Sequence, residues 1–207
     1  MVNQEDTIRE FIYELSINPI PGWFFTPERE FVIRKIINLP KPSRCADVGT
    51  YCGLSAACQA FGCKLRNDGL KVLAIEPFKG NLTENCGDGA ITADTFWGHI
   101  KRFVLQEYVE LYEGYSFDAV KMIDDESLGF VLIDTDHFYD ETARNIREWY
   151  PKIYDGGVLA LHDYGLAWSA DDQVAKAVSD TIDGLPNVLP TPCSLAWFEK
   201  TKALKLK

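Results

Sequence analysis

Gly129-Phe-Val-Leu-Ile-Asp-Thr-Asp-His137 decides how this chain folds, because an unbroken apolar run leads directly into acidic and imidazole side chains. A run such as residues 130–133, without polar alternation, predicts a strand buried on both faces, as in a parallel sheet. A second such run, residues 158–161, ends at His162-Asp163. Because open α/β sheets bind ligands beyond the carboxyl ends of their strands, we place the chemistry at these two ends.

Alternating strand and helix patterns extend from these two runs over most of the chain. Further strands are predicted at residues 45–48, 71–75, 109–112, 187–189 and 194–200. Helices are predicted at residues 3–15, 27–39, 54–61, 92–103, 117–123, 139–154 and 170–182. Pro190-Thr-Pro192 is too short for a parallel crossover, so the last two strands should pair antiparallel. The patterns predict an α/β fold, a doubly wound, mostly parallel sheet with a C-terminal antiparallel hairpin and helices on both faces.

Local signals and chain length complete this expected architecture. Thr26 is expected to cap the second helix, with Pro27 in its first turn. Asp155-Gly-Gly157 is expected to turn the chain into the fifth strand. A length of 207 residues is typical of one domain. We therefore expect a single domain over residues 1–207, with an N-terminal helical cap (1–42) and a catalytic sheet domain (43–207).

Charge and cysteine content limit the classes of partner. The net charge of −10 argues against nucleic acid and against an anionic membrane surface. The N-terminus lacks the pattern of a signal peptide, and no apolar run is long enough to span a bilayer. Six cysteines without a C-x-x-C motif are expected to be reduced thiols rather than a disulfide framework. We expect a cytoplasmic protein with a small-molecule substrate, and the sequence leaves open whether it forms a homodimer.

The turn after the first strand carries features of a nucleotide-binding turn. In Asp47-Val-Gly-Thr-Tyr-Cys-Gly53, Gly49 and Gly53 permit a tight bend and close approach of a ligand to the backbone. Glu76 follows at the end of the next strand, where a carboxylate can accept hydrogen bonds from ribose hydroxyls. A plain strand-to-helix turn remains the alternative, because the full dinucleotide and phosphate-loop motifs are both missing.

The acidic residues that follow the two apolar runs predict a cation site. Asp134, Asp136 and Asp163 would lie close together with His162, and oxygen-rich donors of this kind favour magnesium, manganese or calcium. Alternatively, Asp136 caps the following helix and Asp163 faces water. His137 titrates near neutrality and could deprotonate a substrate hydroxyl, or it could simply support its neighbours.

Aromatic residues on both sides of the sheet edge could border a substrate. Trp23-Phe-Phe25 precedes the second helix and could cover the strand ends, although packing of the N-terminal helices onto the sheet is favoured. Tyr164 and Trp168 follow the fifth strand and are expected to border the substrate more directly.

These motifs together resemble the class I S-adenosylmethionine-dependent methyltransferases, in particular the small group with macrolide and sugar O-methyltransferases and cephalosporin-hydroxylase-like proteins. The matching segments are Ala46-Asp-Val-Gly-Thr-Tyr-Cys-Gly-Leu-Ser55, Ala74-Ile-Glu-Pro77, Leu132-Ile-Asp-Thr-Asp-His-Phe-Tyr139 and Trp149-Tyr-Pro-Lys-Ile-Tyr-Asp-Gly-Gly-Val-Leu-Ala-Leu-His-Asp-Tyr164. The resemblance implies a Rossmann-like, seven-stranded sheet and S-adenosylmethionine as the cofactor.

The resemblance also implies a set of cofactor-binding residues. These are Asp47, Gly49, Tyr51, Gly53, Glu76, Tyr115, Ser116 and Asp134. The two glycines and Tyr51 would surround the methionine part, Glu76 would hold the ribose, and the Tyr115-Ser116 pair would lie near the adenine. Asp47 stands where the family usually has glutamate, which keeps the charge.

For the reaction itself, the resemblance implies a magnesium site at Asp134, His162 and Asp163. Position 162 is a departure, because metal-dependent relatives usually have a carboxylate there. Asp136 matches the general base of the sugar-modifying relatives, and His137 stands where catechol-type enzymes have a lysine base. The implied reaction is in-line transfer of a methyl group to a hydroxyl oxygen.

Two other functions compete with this interpretation. A nicotinamide-dependent oxidoreductase could use a similar sheet, but the missing third glycine and the acidic cluster argue against it. A non-catalytic binding protein could have kept the sheet and lost turnover. The short segment before the first strand suggests an open site, which suits a bulky acceptor such as a glycoside.

Overall fold

The computed structural model describes residues 3–79, 91–165 and 172–207. Within them the strands are β1 (Arg44–Val48), β2 (Val72–Glu76), β3 (Val109–Glu113), β4 (Leu128–Ile133), β5 (Ile153–Leu161), β6 (Asn187–Val188) and β7 (Ala196–Glu199). The α-helices are α1 (Gln4–Ile17), α2 (Thr26–Ile37), α3 (Leu54–Arg66), α4 (Ala93–Arg102), α5 (Ser116–Ala119), α6 (Tyr139–Trp149) and α7 (Gln173–Thr181). Short 3₁₀ turns occupy Gln106–Tyr108, Val120–Met122 and Tyr150–Lys152.

The strands of the described residues form one sheet in the order β3-β2-β1-β4-β5-β7-β6. The first five are parallel, and β7 pairs antiparallel with both β5 and β6. Val48 lies opposite both Ile75 and Ile133, and Ile133 lies opposite Leu161. The register therefore brings the carboxyl ends of β2, β1, β4 and β5 to one edge. The predicted doubly wound sheet with its C-terminal hairpin is confirmed.

Helices cover both faces of the sheet and bury two separate apolar layers. Helices α1 to α4 pack against one face, where Phe130 and Leu132 point. Helices α5 to α7 pack against the other face, where Val131 and Ile133 point. This alternation explains why β4 reads as a continuous apolar run, since all of its positions are buried.

The start of α2 differs from the prediction. Thr26 is the first helical residue rather than the N-cap, and Phe25 takes the cap position. The Phe25 N–H donates to Oε2 of Glu28 at 2.7 Å. A carboxylate in the first turn of the helix therefore accepts a backbone N–H that has no partner within the helix. A threonine before proline looked like a cap, but the fold uses the acidic side chain instead.

The chain entering β5 also differs from the prediction. The helix α6 ends at Trp149, and Ile153 already belongs to β5. The predicted turn at residues 155–157 is an irregularity inside that strand, because the partner of Leu128 is Ile153 whereas that of Phe130 is Val158. Backbone hydrogen bonds of 2.7 Å join residues 156 and 157 to Lys200, which keeps this segment within the sheet.

Two further features concern the cysteines and the helices. The cysteines of the described residues (Cys45, Cys52, Cys58, Cys63 and Cys193) are free and buried, as expected, and Cys86 lies outside the described residues. In the described part of the chain, none of the helices combines the length and the apolar character that crossing a bilayer requires.

Candidate functional site

A cavity of about 970 Å³ opens at the carboxyl edge of the sheet. Residues that follow β1, β2, β4 and β5 line it, among them Gly49, Glu76, Asp134 and Asp163. Trp23, from the segment before α2, lines it as well. We call the ends of β1 and β2 (Asp47, Gly49, Tyr51, Glu76) the β1–β2 side, and those of β4 and β5 (Asp134, Asp136, His137, His162, Asp163) the β4–β5 side.

The turn after β1 brings the two sides into contact. Gly49 has a φ of +89°, and a Cβ at this position would lie 1.9 Å from the carbonyl oxygen of Asp134. Gly53 has a φ of +95°, and its Cβ would lie 2.9 Å from the ring of Phe96. Both positions therefore require glycine, for the conformation and for the space.

Glu76 organises this turn from the neighbouring strand. Its Oε2 accepts the N–H of Tyr51 at 2.9 Å, and its Oε1 accepts the N–H of Phe78 at 3.3 Å. Burial raises the pKa of Glu76 to about 7, and the nearby carboxylates Asp134 and Asp136 add to the shift. Glu76 lines the cavity.

Asp47 lies beneath the turn instead of in the cavity. Its carboxyl group is fully buried, and it accepts hydrogen bonds from Ser55 Oγ at 2.8 Å and from Gln59 Nε2 at 2.6 Å. Burial raises its pKa to about 7. Asp47 and Gly53 are not among the described residues that line the cavity. Both support the turn from the side that faces away from the cavity.

Tyr115 and Ser116 lie on the cavity wall near the end of β3. Ser116 Oγ donates to Asn145 Oδ1 at 2.7 Å, and Asn145 Nδ2 donates to Thr135 Oγ1 at 3.0 Å. This buried chain of hydrogen bonds links the segment after β3 to the loop after β4. Asn145 was missed by the sequence reasoning, because an asparagine within a helix carries no signal of such a contact.

On the β4–β5 side, Asp136 lines the cavity but stays outside the group that the sequence predicted, whereas Asp134, His162 and Asp163 converge. One ligand atom from each can be chosen so that all lie within 4.8 Å of one another. His162 Nδ1 is 3.1 Å from Asp163 Oδ2 and 3.4 Å from Asp134 Oδ1. Two carboxylates and one imidazole fit a divalent ion, and the nitrogen donor suits manganese better than magnesium.

His137 also faces this cluster. Its Nε2 lies 2.7 Å from Asp163 Oδ2 and 3.7 Å from Asp134 Oδ1. Hydrogen bonds to these two carboxylates raise the pKa of His137 to about 10, although burial acts in the opposite direction. His137 is therefore protonated near neutral pH in the absence of a metal ion.

The imidazoles of His137 and His162 in turn change the pKa values of the carboxylates. Burial opposes the ionisation of Asp163, but His137 and His162 outweigh it and hold the pKa of Asp163 well below its usual range. The same balance, with His162 as the main partner, lowers the pKa of Asp134. Burial disfavours the charged form of His162, yet Asp134 and Asp163 raise its pKa above the ordinary value. This side is thus a network of paired charges.

Glu28, in the first turn of α2, reaches the same network. It is completely buried, accepts the Ser194 N–H at 2.8 Å, and lies 3.5 Å from His162 Nε2. Its position in the first turn of a helix explains an acidic residue. No local sequence pattern reports a contact with a residue this distant in the chain.

The aromatic residues divide between packing and the cavity mouth. Phe24 is buried, with its ring centre 5.5 Å from that of His162, whereas Trp23 is 58% exposed. Phe138, which the sequence analysis did not select, lines the cavity and is 65% exposed. Tyr164 packs beside the second apolar layer and is not among the described lining residues. Trp168 lies outside the described residues.

Comparisons with solved structures agree on the fold. The O-methyltransferase NovP is 16% identical with a TM-score of 0.65, and the match covers 85% of this chain and 79% of NovP. An O-methyltransferase from Bacillus cereus, solved in complex with SAH, is also 16% identical, with a TM-score of 0.64 and coverage of 97% and 93%.

Comparisons of sequence identify the family. The uncharacterized protein y4gI of Sinorhizobium fredii is 22% identical over 129 residues, which is 62% of this chain but only 14% of that protein. Residues 46–164 match a family described as a methyltransferase domain. This match covers more than half of the chain and includes both sides of the cavity, so the chain belongs to this family of methyltransferase domains.

Proposed function

We propose that this protein transfers the methyl group of S-adenosylmethionine to a hydroxyl oxygen of a small molecule or glycoside. The observation that carries the proposal is that Asp134, Asp136 and Asp163 line one cavity together with the glycine turn after β1. Carboxylates at such a position can hold a divalent ion and accept a proton from a hydroxyl. The likeness to solved O-methyltransferases supports this reaction type.

The β1–β2 side and the segment after β3 would bind the cofactor, which supplies an electrophilic methyl group on its sulfonium. Gly49 and Tyr51 would surround the methionine part, because the bare backbone at Gly49 leaves room there. Glu76 would accept hydrogen bonds from the ribose, and Tyr115 with Ser116 would border the adenine. Asp47 and Gly53 would shape the turn without touching the cofactor.

Asp134, His162 and Asp163 would hold a divalent ion, magnesium as the resemblance implies or manganese as the donors favour. Such an ion lowers the pKa of a coordinated hydroxyl. In this arrangement Asp163 would share its carboxylate between the ion and His137, whose Nε2 lies 2.7 Å away.

We propose Asp136 rather than His137 as the general base. His137 Nε2 already faces the carboxylates of Asp163 and Asp134, so it is placed to donate a proton and not to accept one. Asp136 lines the cavity beside them. The substrate hydroxyl would lose its proton to an Asp136 oxygen as the new carbon–oxygen bond forms and the carbon–sulfur bond breaks.

The remaining parts of the proposal concern the acceptor and the whole chain. Trp23 and Phe138 flank the mouth with exposed aromatic rings, which suits an acceptor with an apolar or sugar face.

Residues 1–207 would act as one domain, with 1–42 as its helical cap. The buried thiols suit a reducing cytoplasm.

The test is methyl transfer by the purified chain to a panel of hydroxylated acceptors, with Mg²⁺, Mn²⁺ or EDTA. We expect release of SAH together with an acceptor heavier by one methylene unit, and a lower rate with EDTA. Cofactor binding without transfer to any acceptor would favour the binding-protein alternative. Thermal stabilisation by NAD but not by S-adenosylmethionine would contradict the proposal altogether.

A further inference from the structure

Glu28 is a buried carboxylate that comes from outside the strand ends. Its side chain is 0% exposed. Its oxygens accept the N–H of Phe25 at 2.7 Å and the N–H of Ser194 at 2.8 Å, and Oε2 lies 3.5 Å from His162 Nε2. A buried carboxylate is costly unless charged or donor groups surround it. Two backbone amides and one imidazole meet that need here.

The ring of His162 is directed by different groups on its two nitrogen atoms. Nδ1 faces Asp163 and Asp134, the two carboxylates of the proposed metal site. Nε2 faces the opposite way, 3.4 Å from Ser194 Oγ and 3.5 Å from Glu28. The ring is 4% exposed, so it cannot exchange these partners for water without a local rearrangement.

We propose that Glu28 is a positioning residue for the metal centre, which holds His162 with its proton on Nε2 and leaves Nδ1 as the ligand. The inference rests on the divalent ion of the proposed function. Metal-binding histidines commonly donate the second ring N–H to a carboxylate, which fixes the tautomer and the ring orientation. Glu28 stands on the side of the ring where that carboxylate belongs.

This role gives the N-terminal segment a part in the chemistry. Glu28 binds the amide of Ser194, in the connection between β6 and β7, so three distant parts of the chain meet at one side chain. The segment before β1 would therefore do more than cover the cavity. It would set the direction of one metal ligand.

Substitution of Glu28 by Gln tests the proposal, because glutamine keeps the shape and loses the charge. Titration of the metal-stripped chain with Mn²⁺ by calorimetry is expected to show affinity about 10- to 100-fold lower in Glu28→Gln. The affinity for SAH, measured in parallel, is expected to stay unchanged. Glu30→Gln is the matched control, since Glu30 lies on the same helix and contacts Arg34 at 3.7 Å.

The outcomes separate this inference from the function on which it rests. Equal Mn²⁺ affinity in wild type and Glu28→Gln overturns the role of Glu28 and leaves the metal site standing. A wild-type chain without stoichiometric Mn²⁺ binding overturns the metal site, and the inference with it. Parallel loss of Mn²⁺ and SAH affinity in Glu28→Gln indicates general loosening and also overturns the inference.

If Glu28→Gln does not fold by circular dichroism, the wild-type protein still decides the matter. Nitrogen-15 spectra of labelled histidines with one equivalent of Zn²⁺, a diamagnetic ion, report which ring nitrogen carries the proton. His162→Gln assigns the resonances. A protonated Nε2 with an unprotonated Nδ1 supports the proposal, and the reverse arrangement overturns it.

Discussion

The two sides of the cavity hold the same kinds of acidic residue in opposite electrostatic states. On the β1–β2 side, burial raises the pKa values of Asp47 and Glu76 to about 7. On the β4–β5 side, Asp134 and Asp163 are partly buried, but their pKa values are lowered because imidazoles pair with them. Burial alone therefore does not set the charge of a carboxylate at this edge; the partner decides it.

The contrast suggests a division of work under the proposed function. The β4–β5 side already contains the cations that balance its carboxylates. On the β1–β2 side the carboxyl groups meet hydroxyl, amide and backbone donors, which are neutral. The cofactor would bring a positive sulfonium into the cavity, which Glu76 lines and Asp47 does not.

The largest effect is expected where the two sides touch. Gly49→Ala would place a Cβ 1.9 Å from the Asp134 carbonyl oxygen, at a φ of +89° that L side chains rarely adopt. We expect a loss of about 3 kcal/mol or more in the free energy of unfolding, together with loss of SAH binding. Urea denaturation and calorimetric titration with SAH measure the two effects.

Gly98→Ala is the control for this substitution. Gly98 lies within α4, and a Cβ there would meet nothing within 4 Å among the described residues. Alanine should raise the stability by about 0.5 to 1 kcal/mol, since glycine is a poor helix former. A Gly49→Ala protein as stable as Gly98→Ala would show that the two sides are not held in this contact.

The second prediction distinguishes the rival bases on the β4–β5 side. Asp136→Asn should lower kcat by about 100- to 10,000-fold if Asp136 accepts the substrate proton. His137→Gln should lower it by roughly tenfold, because His137 orients Asp163 and does not take the proton. Neither change should alter SAH affinity, which belongs to the other side. If His137→Gln lowers kcat more than Asp136→Asn does, His137 and not Asp136 is the general base.

The sequence predicted the sheet and the strand-end residues because these depend on local patterns. A continuous apolar run such as residues 130–133 reports a strand buried on both faces, and its end reports the edge of the sheet. The convergence of Asp134 and Asp163 then follows from the pairing of β4 with β5. Neither the sheet nor the strand-end residues require knowledge of distant contacts to be predicted.

What the sequence could not predict depends on such contacts. Glu28 reads as a helix-start carboxylate, but its bond to the Ser194 amide joins residues 166 positions apart. Asp155-Gly-Gly157 reads as a turn, because nothing local shows that Lys200 will hold it in the sheet. Asp47 reads as a cavity residue, but Ser55 and Gln59 direct its carboxyl group inward.

The third prediction concerns the pH dependence of stability on the β1–β2 side. Asp47 keeps its proton up to a pH of about 7 in the folded chain, against an ordinary value of 3.8. The folded state therefore binds more protons between these values, and its stability falls as the pH rises from about 4 to 7. At pH 8 Asp47 would cost at most about 4 kcal/mol relative to pH 4.

Asp47→Asn should remove this contribution. Gln59 Oε1 is buried without a hydrogen-bond partner among the described residues, so a rotated Gln59 amide could accept from the new asparagine. Urea denaturation of wild type and variant at pH 5 and pH 8 gives the difference in the free energy of unfolding between the two proteins at each pH. Comparing these two differences isolates Asp47, because the titrating groups that both proteins share contribute equally to both. We expect the variant to gain relative stability at pH 8. An equal difference at the two pH values would show that Asp47 ionises normally.

The smallest effect is expected at Glu76, where one carboxylate meets both the turn and the proposed ribose. Glutamine has only one carbonyl oxygen, so in Glu76→Gln the N–H of either Tyr51 or Phe78 would lose its acceptor. We therefore expect the affinity for SAH at pH 8 to fall about tenfold. At pH 6 the loss should be smaller, because burial already keeps the proton on Glu76 below a pKa of about 7. Glu113→Gln is the matched control, since Glu113 lies opposite Glu76 on β3 and is exposed. An equal loss at both pH values would mean that the shape of Glu76, and not its charge, holds the cofactor, and the electrostatic contrast between the two sides would then have no part in binding.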